Sequence, residues 1–283
     1  MRRWAAPSLT DPVAERESSS DRERICNIAV DPSNPRDTQS DQSRNKGEQL
    51  TRQVYIETFD YGPGGWLGWE SNAAGARGLE IHDSMAVSRS PWWIDYNHAP
   101  PGAGYLQILY SLHTRENPPF PAQYWELGGT NPFISQSFPT DFRNARISLR
   151  LKGELETKGA DLVMLVQAKV GPIYSCHALV GQPLKVSPEW SEQRLRLDVD
   201  PSQWKCLGVR HDRTNFYGWT EVADVLRDVN CNILFVLFPL NVVPIEPVPR
   251  NPHLLKAGED YRVDSSKLPE GIVMIDEVRI EFA

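Results

Sequence analysis

The stretch Ser90–Leu112, SPWWIDYNHAPPGAGYLQILYSL, gathers the side chains best equipped for recognition chemistry. Trp92, Trp93, Asp95, Tyr96, Asn97 and His98 combine broad aromatic faces with directed hydrogen-bonding groups. An indole packs well against the C–H face of a pyranose, while Asp, Asn and His side chains hydrogen-bond its hydroxyls. Tyr124 and Trp125, in a proline-broken loop, offer a second aromatic pair for the same ligand. Successive side chains of an extended segment point to opposite faces, so at most one of Trp92 and Trp93 can line a ligand site while the other is core. The competing reading is that both indoles anchor the edge of a sandwich.

Catalytic chemistry has fewer footholds. His98, Tyr96, Tyr105 and Arg115 are the kind of set that abstracts a proton and neutralises charge in a polysaccharide lyase. Paired carboxylates for glycoside hydrolysis cannot be singled out among 37 acidic residues without geometry. No GxSxG, HExxH, Walker loop or strand–helix GxGxxG is present. His82, His98, His113, His177, His211 and His253 lack ligand spacing, which argues against zinc. His211-Asp212-Arg213 reads as a solvated polar loop beside Trp219.

The elements that must position these residues are strands. Ile147, Leu149 and Leu151 alternate with Arg146, Ser148, Arg150 and Lys152, and Leu195, Leu197 and Val199 alternate with Arg194, Arg196 and Asp198. This is the period of antiparallel strands with one solvated face. Residues 104–114 and 232–238 are too apolar for that and should be central strands. A strand from Val54 should end in the Gly62–Gly65 turn, and residues 78–90 offer one more short strand. The closing strand, from Ile272, places Ile272, Met274, Val278, Ile280 and Phe282 on one face, with Asp276 interrupting it. One helix stands out: Val222, Val225, Leu226 and Val229 at helical spacing, with Thr220 as N-cap and Glu221 in the first turn. The expected fold is all-β, a two-sheet antiparallel jelly-roll β-sandwich with one short helix before the penultimate strand. It occupies residues 53–283, behind a polar leader, residues 1–52, that lacks the apolar content to fold. The roughly thirty-residue stretch from Pro239 is long enough to be functional or disordered.

Composition narrows the partners. A net charge of −7 argues against nucleic acid and anionic membranes, and leaves neutral glycans, proteins or cations. No apolar run reaches the ~18 residues of a membrane span. The basic tip of the leader has no apolar region behind it, so a cytoplasmic location is expected as written, and an extracellular one if the start codon is mis-assigned. Cys26, Cys176, Cys206 and Cys231 have no CxxC spacing and are expected to be reduced.

The order of these elements resembles a known family. An acidic first strand (Glu57-Thr-Phe-Asp60) leads to Gly65-Trp66; a Trp strand (Trp190–Leu197), a short helix, a buried strand and Ile275-Asp276-Glu277-Val278 follow. This arrangement resembles the galactose-binding-like β-jelly-roll of many carbohydrate-binding modules. Residues 204–278 are also similar to the laminin IV-type module. The resemblance implies carbohydrate binding, and a structural calcium held by Glu57 or Asp60 with Asp276, hard oxygen ligands that suit Ca²⁺; an Asp276 bonded to a backbone N–H, or to Arg279 or Arg143, is the alternative. The leading expectation is non-catalytic binding of a carbohydrate or similar polar ligand by loop aromatics at one end of the sandwich. A glycan-processing enzyme and a protein-interaction module using the 241–270 loop are the rivals.

Overall fold

In the computed structural model, residues 53–70, 75–116 and 126–283 are described, all within one compact unit, Leu50–Ala283. The leader (1–52) and the loop carrying Tyr124 and Trp125 lie outside the described residues.

Two antiparallel sheets stack as a β-sandwich. The strands are β1 (Val54–Glu57), β2 (Trp66–Glu70), β3 (Gly75–Gly78), β4 (Glu80–His82), β5 (Met85–Arg89), β6 (Ile94–Asp95), β7 (Leu106–His113), β8 (Arg146–Glu156), β9 (Asp161–Val170), β10 (Ile173–Ala178), β11 (Ser191–Arg196), β12 (Lys205–Cys206), β13 (Asn232–Phe238) and β14 (Glu270–Glu281). Sheet A runs β11-β8-β14-β5-β4, with β1 also on β14; sheet B runs β12-β10-β9-β13-β7-β2-β3, with β6 on β7. As the apolar runs imply, β7 and β13 sit mid-sheet and every residue of both is buried.

The core between the sheets holds Ile147, Leu149 and Leu151 of β8, Phe235 and Leu237 of β13, and the indoles of Trp66 and Trp92. Trp66 stacks on Phe235 at 5.8 Å. The Tyr110 hydroxyl, deep in this core, donates to Val273 O (2.6 Å) and lies 3.1 Å from Ala86 O, joining the sheets through a buried polar group. The short helix, α2 (Val222–Arg227), precedes β13 and feeds Val222, Val225 and Leu226 into the same core. A one-turn helix, α1 (Pro132–Ser135), interrupts the expected loop; Pro132 opens it and Asn131 Oδ1 accepts the Ile134 N–H.

Four local expectations are corrected. The N-cap of α2 is Glu221 without a side-chain cap bond, and Val229 falls beyond the helix although it is buried. Residues 78–90 form not one strand but the β4–β5 hairpin, turned by Asp83 and Ser84 at φ 49° and 59°, left-handed positions usually left to Asn or Gly. In β14, Val273 and Ile275 face inward before Asp276, and Val278, Ile280 and Phe282 after it. Asp276 is a β-bulge, the extra residue between Ile275 and Glu277, so the inward phase changes there and Ile272 and Met274 leave the inner face. Finally, the stretch after Pro239 is ordered and held at a few points, by buried Leu240, Ala257 and Tyr261 and by Leu254 O, which accepts from Arg210, while most of its residues are exposed.

Candidate functional site

A second apolar cluster covers the far face of sheet B. Leu106 and Ile108 of β7, Val163 and Leu165 of β9, and Leu234 and Val236 of β13 are buried there with Trp69, Leu207, Val209 and Tyr217, against Trp93. Residues 92–105 and 207–218 supply the cover, tied together by Ala103 N–H to Leu207 O (2.7 Å) and Arg210 N–H to Asn97 O (3.0 Å). Sheet B is therefore buried on both faces, which is why its strands lack polar alternation.

The adjacent tryptophans separate as extended geometry requires. Trp92 is fully buried between the sheets, its indole N–H donating to Ser88 Oγ (2.8 Å). Trp93, half-buried, turns to the far face of sheet B, 5.3 Å from Trp69 and 6.2 Å from Tyr96. Trp92 is core and not a ligand platform.

Beneath Trp93 a pocket of about 60 Å³ opens, lined by Trp69, Asp95, Asn97, His98, Gln167, Tyr217 and Asn232 over an apolar floor of Leu106, Ile108, Leu165 and Leu234. At about 10–15 Å³ of occupiable space per water-sized group, it admits a few heavy atoms. Of the residues expected from the sequence, Trp93, Asp95, Asn97 and His98 meet here, and Tyr96 stacks beside them. They gather over a sheet face and not at the end of the sandwich.

Each polar group has a definite state. Asp95 Oδ1 accepts the Asn97 amide N–H (2.8 Å) and Nδ2–H (2.7 Å), an Asx turn built by β6 and the residues after it. His98 Nδ1 lies 2.7 Å from Gly208 O. A carbonyl only accepts, so Nδ1 carries the proton. Gly208 holds φ at 58°, and a Cβ there would meet the Trp219 ring at 2.1 Å, so glycine is required for that carbonyl to face His98. The Tyr217 ring packs edge-on against His98 at 5.0 Å; burial pushes its hydroxyl well up, opposed by its bond to Gln167. Burial and the nearby Glu259 raise the Tyr96 hydroxyl to about 12.

Gln167 and Asn232 were missed by the sequence reading. They are directly opposite across β9 and β13, both buried, and Asn232 Oδ1 has no hydrogen-bond partner among the described residues. A Gln inside DLVMLVQAKV and an Asn opening NILFVLF were the available signals, since buried polar groups need partners or a purpose. Arg210 was also missed: it is buried, forks onto Asp212 (3.0 and 3.1 Å), and braces the covering loop from behind.

The lyase-like set is not assembled. Arg115 is engaged by Asp228 (2.7 Å) and Thr140 (2.8 Å), the Tyr105 hydroxyl bonds Tyr261 (2.9 Å), and neither lines the pocket. The proposed calcium ligands are dispersed in use. Glu57 accepts the Phe59 N–H (2.8 Å), Asp60 accepts the Thr58 hydroxyl (2.7 Å), and Asp276 is paired with Arg150 on the outer face of sheet A. Burial raises the Asp276 carboxyl, and Arg150 opposes the rise. Asp60 and Asp276 share the rim of one hollow, yet no three His, Cys, Asp or Glu side chains group as metal ligands among the described residues. Cys176, Cys206 and Cys231 are free thiols.

No protein-family model and no curated protein matches the chain. Among solved structures it is similar to the L4b domain of human laminin alpha-2, with 8% identity and a TM-score of 0.34, over 81% of this chain and 97% of that one. A mud crab dicistrovirus structure aligns at 12% identity with a TM-score of 0.15, over 99% of this chain and 94% of that one. A marine algae virus of the order Picornavirales aligns at the same identity and score, over 100% of this chain and 92% of that one. At these scores the similarities carry no argument about the site.

Proposed function

We propose that this protein binds a carbohydrate or similarly polar ligand without altering it, at the pocket under Trp93, and that its sandwich belongs with the galactose-binding-like jelly rolls. The observation that carries the reading is the buried Asn232 Oδ1, an acceptor without a partner among the described residues, in a pocket walled by two indoles. Leaving such a group unsatisfied costs about 1–3 kcal/mol, which a ligand donor recovers on binding. The pocket takes one substituent of the ligand, and the half-exposed Trp93 offers the face on which the rest of a ring rests. Catalysis draws no support, because the acid–base candidates do not converge. The test is a broad glycan array probed with the full chain and with Trp93→Ala. Selective binding lost in the variant supports recognition at this pocket. A blank array with folded protein sinks the carbohydrate reading and favours a protein partner.

A further inference from the structure

We infer that the substituent selected by this pocket is a protonated primary amine, so that the ligand is an amino sugar and not a neutral one; this rests on the ligand reading above. The inference comes from the imbalance of donors and acceptors. Asp95 Oδ1 is satisfied by Asn97, but Asp95 Oδ2 faces His98 Nε2 at 3.8 Å. Because Nδ1 holds its proton against Gly208 O, the neutral tautomer carries its lone pair on Nε2, a second acceptor beside Asp95 Oδ2. At 3.8 Å the two atoms are beyond hydrogen-bond reach, so neither satisfies the other's hydrogen-bonding capacity. Asn232 Oδ1 is a third acceptor, buried on the same lining. Among the described residues Asp95 is also the only Asp, Glu, Lys or Arg on that lining, and it is 8% exposed.

A primary ammonium has three N–H donors and no acceptor, so it complements this set. Its positive charge offsets the buried carboxylate and is drawn to the faces of Trp69 and Trp93. A sugar hydroxyl brings one donor and no charge. An N-acetyl group brings one donor, no charge, and in its carbonyl a further acceptor. The chain's net charge of −7 further favours a cationic ligand.

The test is calorimetric titration of the full chain with the tetramers of glucosamine, N-acetylglucosamine and glucose (β-1,4-linked), and with tetralysine. The glucosamine tetramer is expected to bind at least tenfold more tightly than the other three. Asp95→Asn should shrink that preference to within twofold. Asn232→Leu should weaken the glucosamine tetramer at least tenfold while Tm stays level or rises, which separates lost recognition from lost folding. Equal binding of the glucose and glucosamine tetramers overturns the amine and leaves carbohydrate recognition standing. Equal binding of the N-acetylated tetramer overturns the amine too. Binding of tetralysine alone overturns the sugar as the amine's carrier and the carbohydrate reading with it.

Discussion

The outer face of sheet A and the outer face of sheet B are built from the same antiparallel ladders and end in opposite chemistry. On sheet A, Arg196, Arg146 and Glu281 stand in one cross-strand row and Arg194, Ser148 and Arg279 in the next. They line an open trough of about 710 Å³, and most are paired along or across the surface, as Arg194 is with Glu192 and Arg196 with Asp198. On sheet B the equivalent rows carry Ile108, Leu165 and Leu234 under two loops, with Gln167 and Asn232 buried among them. A charge in water costs little and contributes little. A polar group beneath a loop must find a partner or serve as one for a ligand. The larger hollow is thus the less informative, and the smaller holds the candidate site.

The buried layers on the two sides of sheet B should show the largest effect of any single side chain, and the adjacent indoles divide them. Trp92→Ala removes a fully buried indole and should destabilise by about 3–5 kcal/mol in urea unfolding. Trp93→Ala, on the half-buried neighbour, should cost less than about 1.5 kcal/mol and instead abolish ligand binding. Comparable costs for the two would mean that they do not divide between core and site.

Acid should act next, through two buried histidines of sheet B. Burial lowers both His113 on β7 and His177 on β10 to about 4. Their unfolded values lie near 6.5, so the unfolded chain binds more protons between about pH 6.5 and 4. Stability should therefore be intact above about 6.5 and fall as pH drops through that window, by on the order of 3 kcal/mol for each ring. Urea midpoints at pH 7 and pH 4.5 measure it, and His177→Gln should flatten part of the slope. A midpoint unchanged over this range would show that the two rings are not held neutral by burial.

The solvated side should respond weakly. Arg196 and Arg146 are Cα partners across β11 and β8, and like charges so placed repel. Arg196→Glu trades this repulsion and the Asp198 pair for an attraction to Arg146, so the net gain should stay below about 0.5 kcal/mol at low salt and fade by about 0.5 M salt as screening shortens. A gain that survives high salt would point to packing instead of charge.

Much of this was legible in order along the chain, because alternation and turn chemistry act over a few residues. The two-sheet sandwich, the central place of β7 and β13, the helix before β13, and the opposite facing of Trp92 and Trp93 all follow from period and hydropathy. Where a single residue altered the phase, local reading failed: the bulge at Asp276 moved Met274 off the inner face, and an Asp83-Ser84 turn hid a hairpin.

The sequence by itself determined the class of fold, the solvated face of sheet A, and Trp93, Asp95, Asn97 and His98 as a group. Only the tertiary structure decided that Trp92 is core, that Gln167 and Asn232 complete the lining, and that Gly208 orients His98. The division has a physical cause. Side-chain facing is set within a strand by backbone geometry, whereas a pocket is made by residues brought across ladders and under loops, such as the 110 positions between His98 and Gly208.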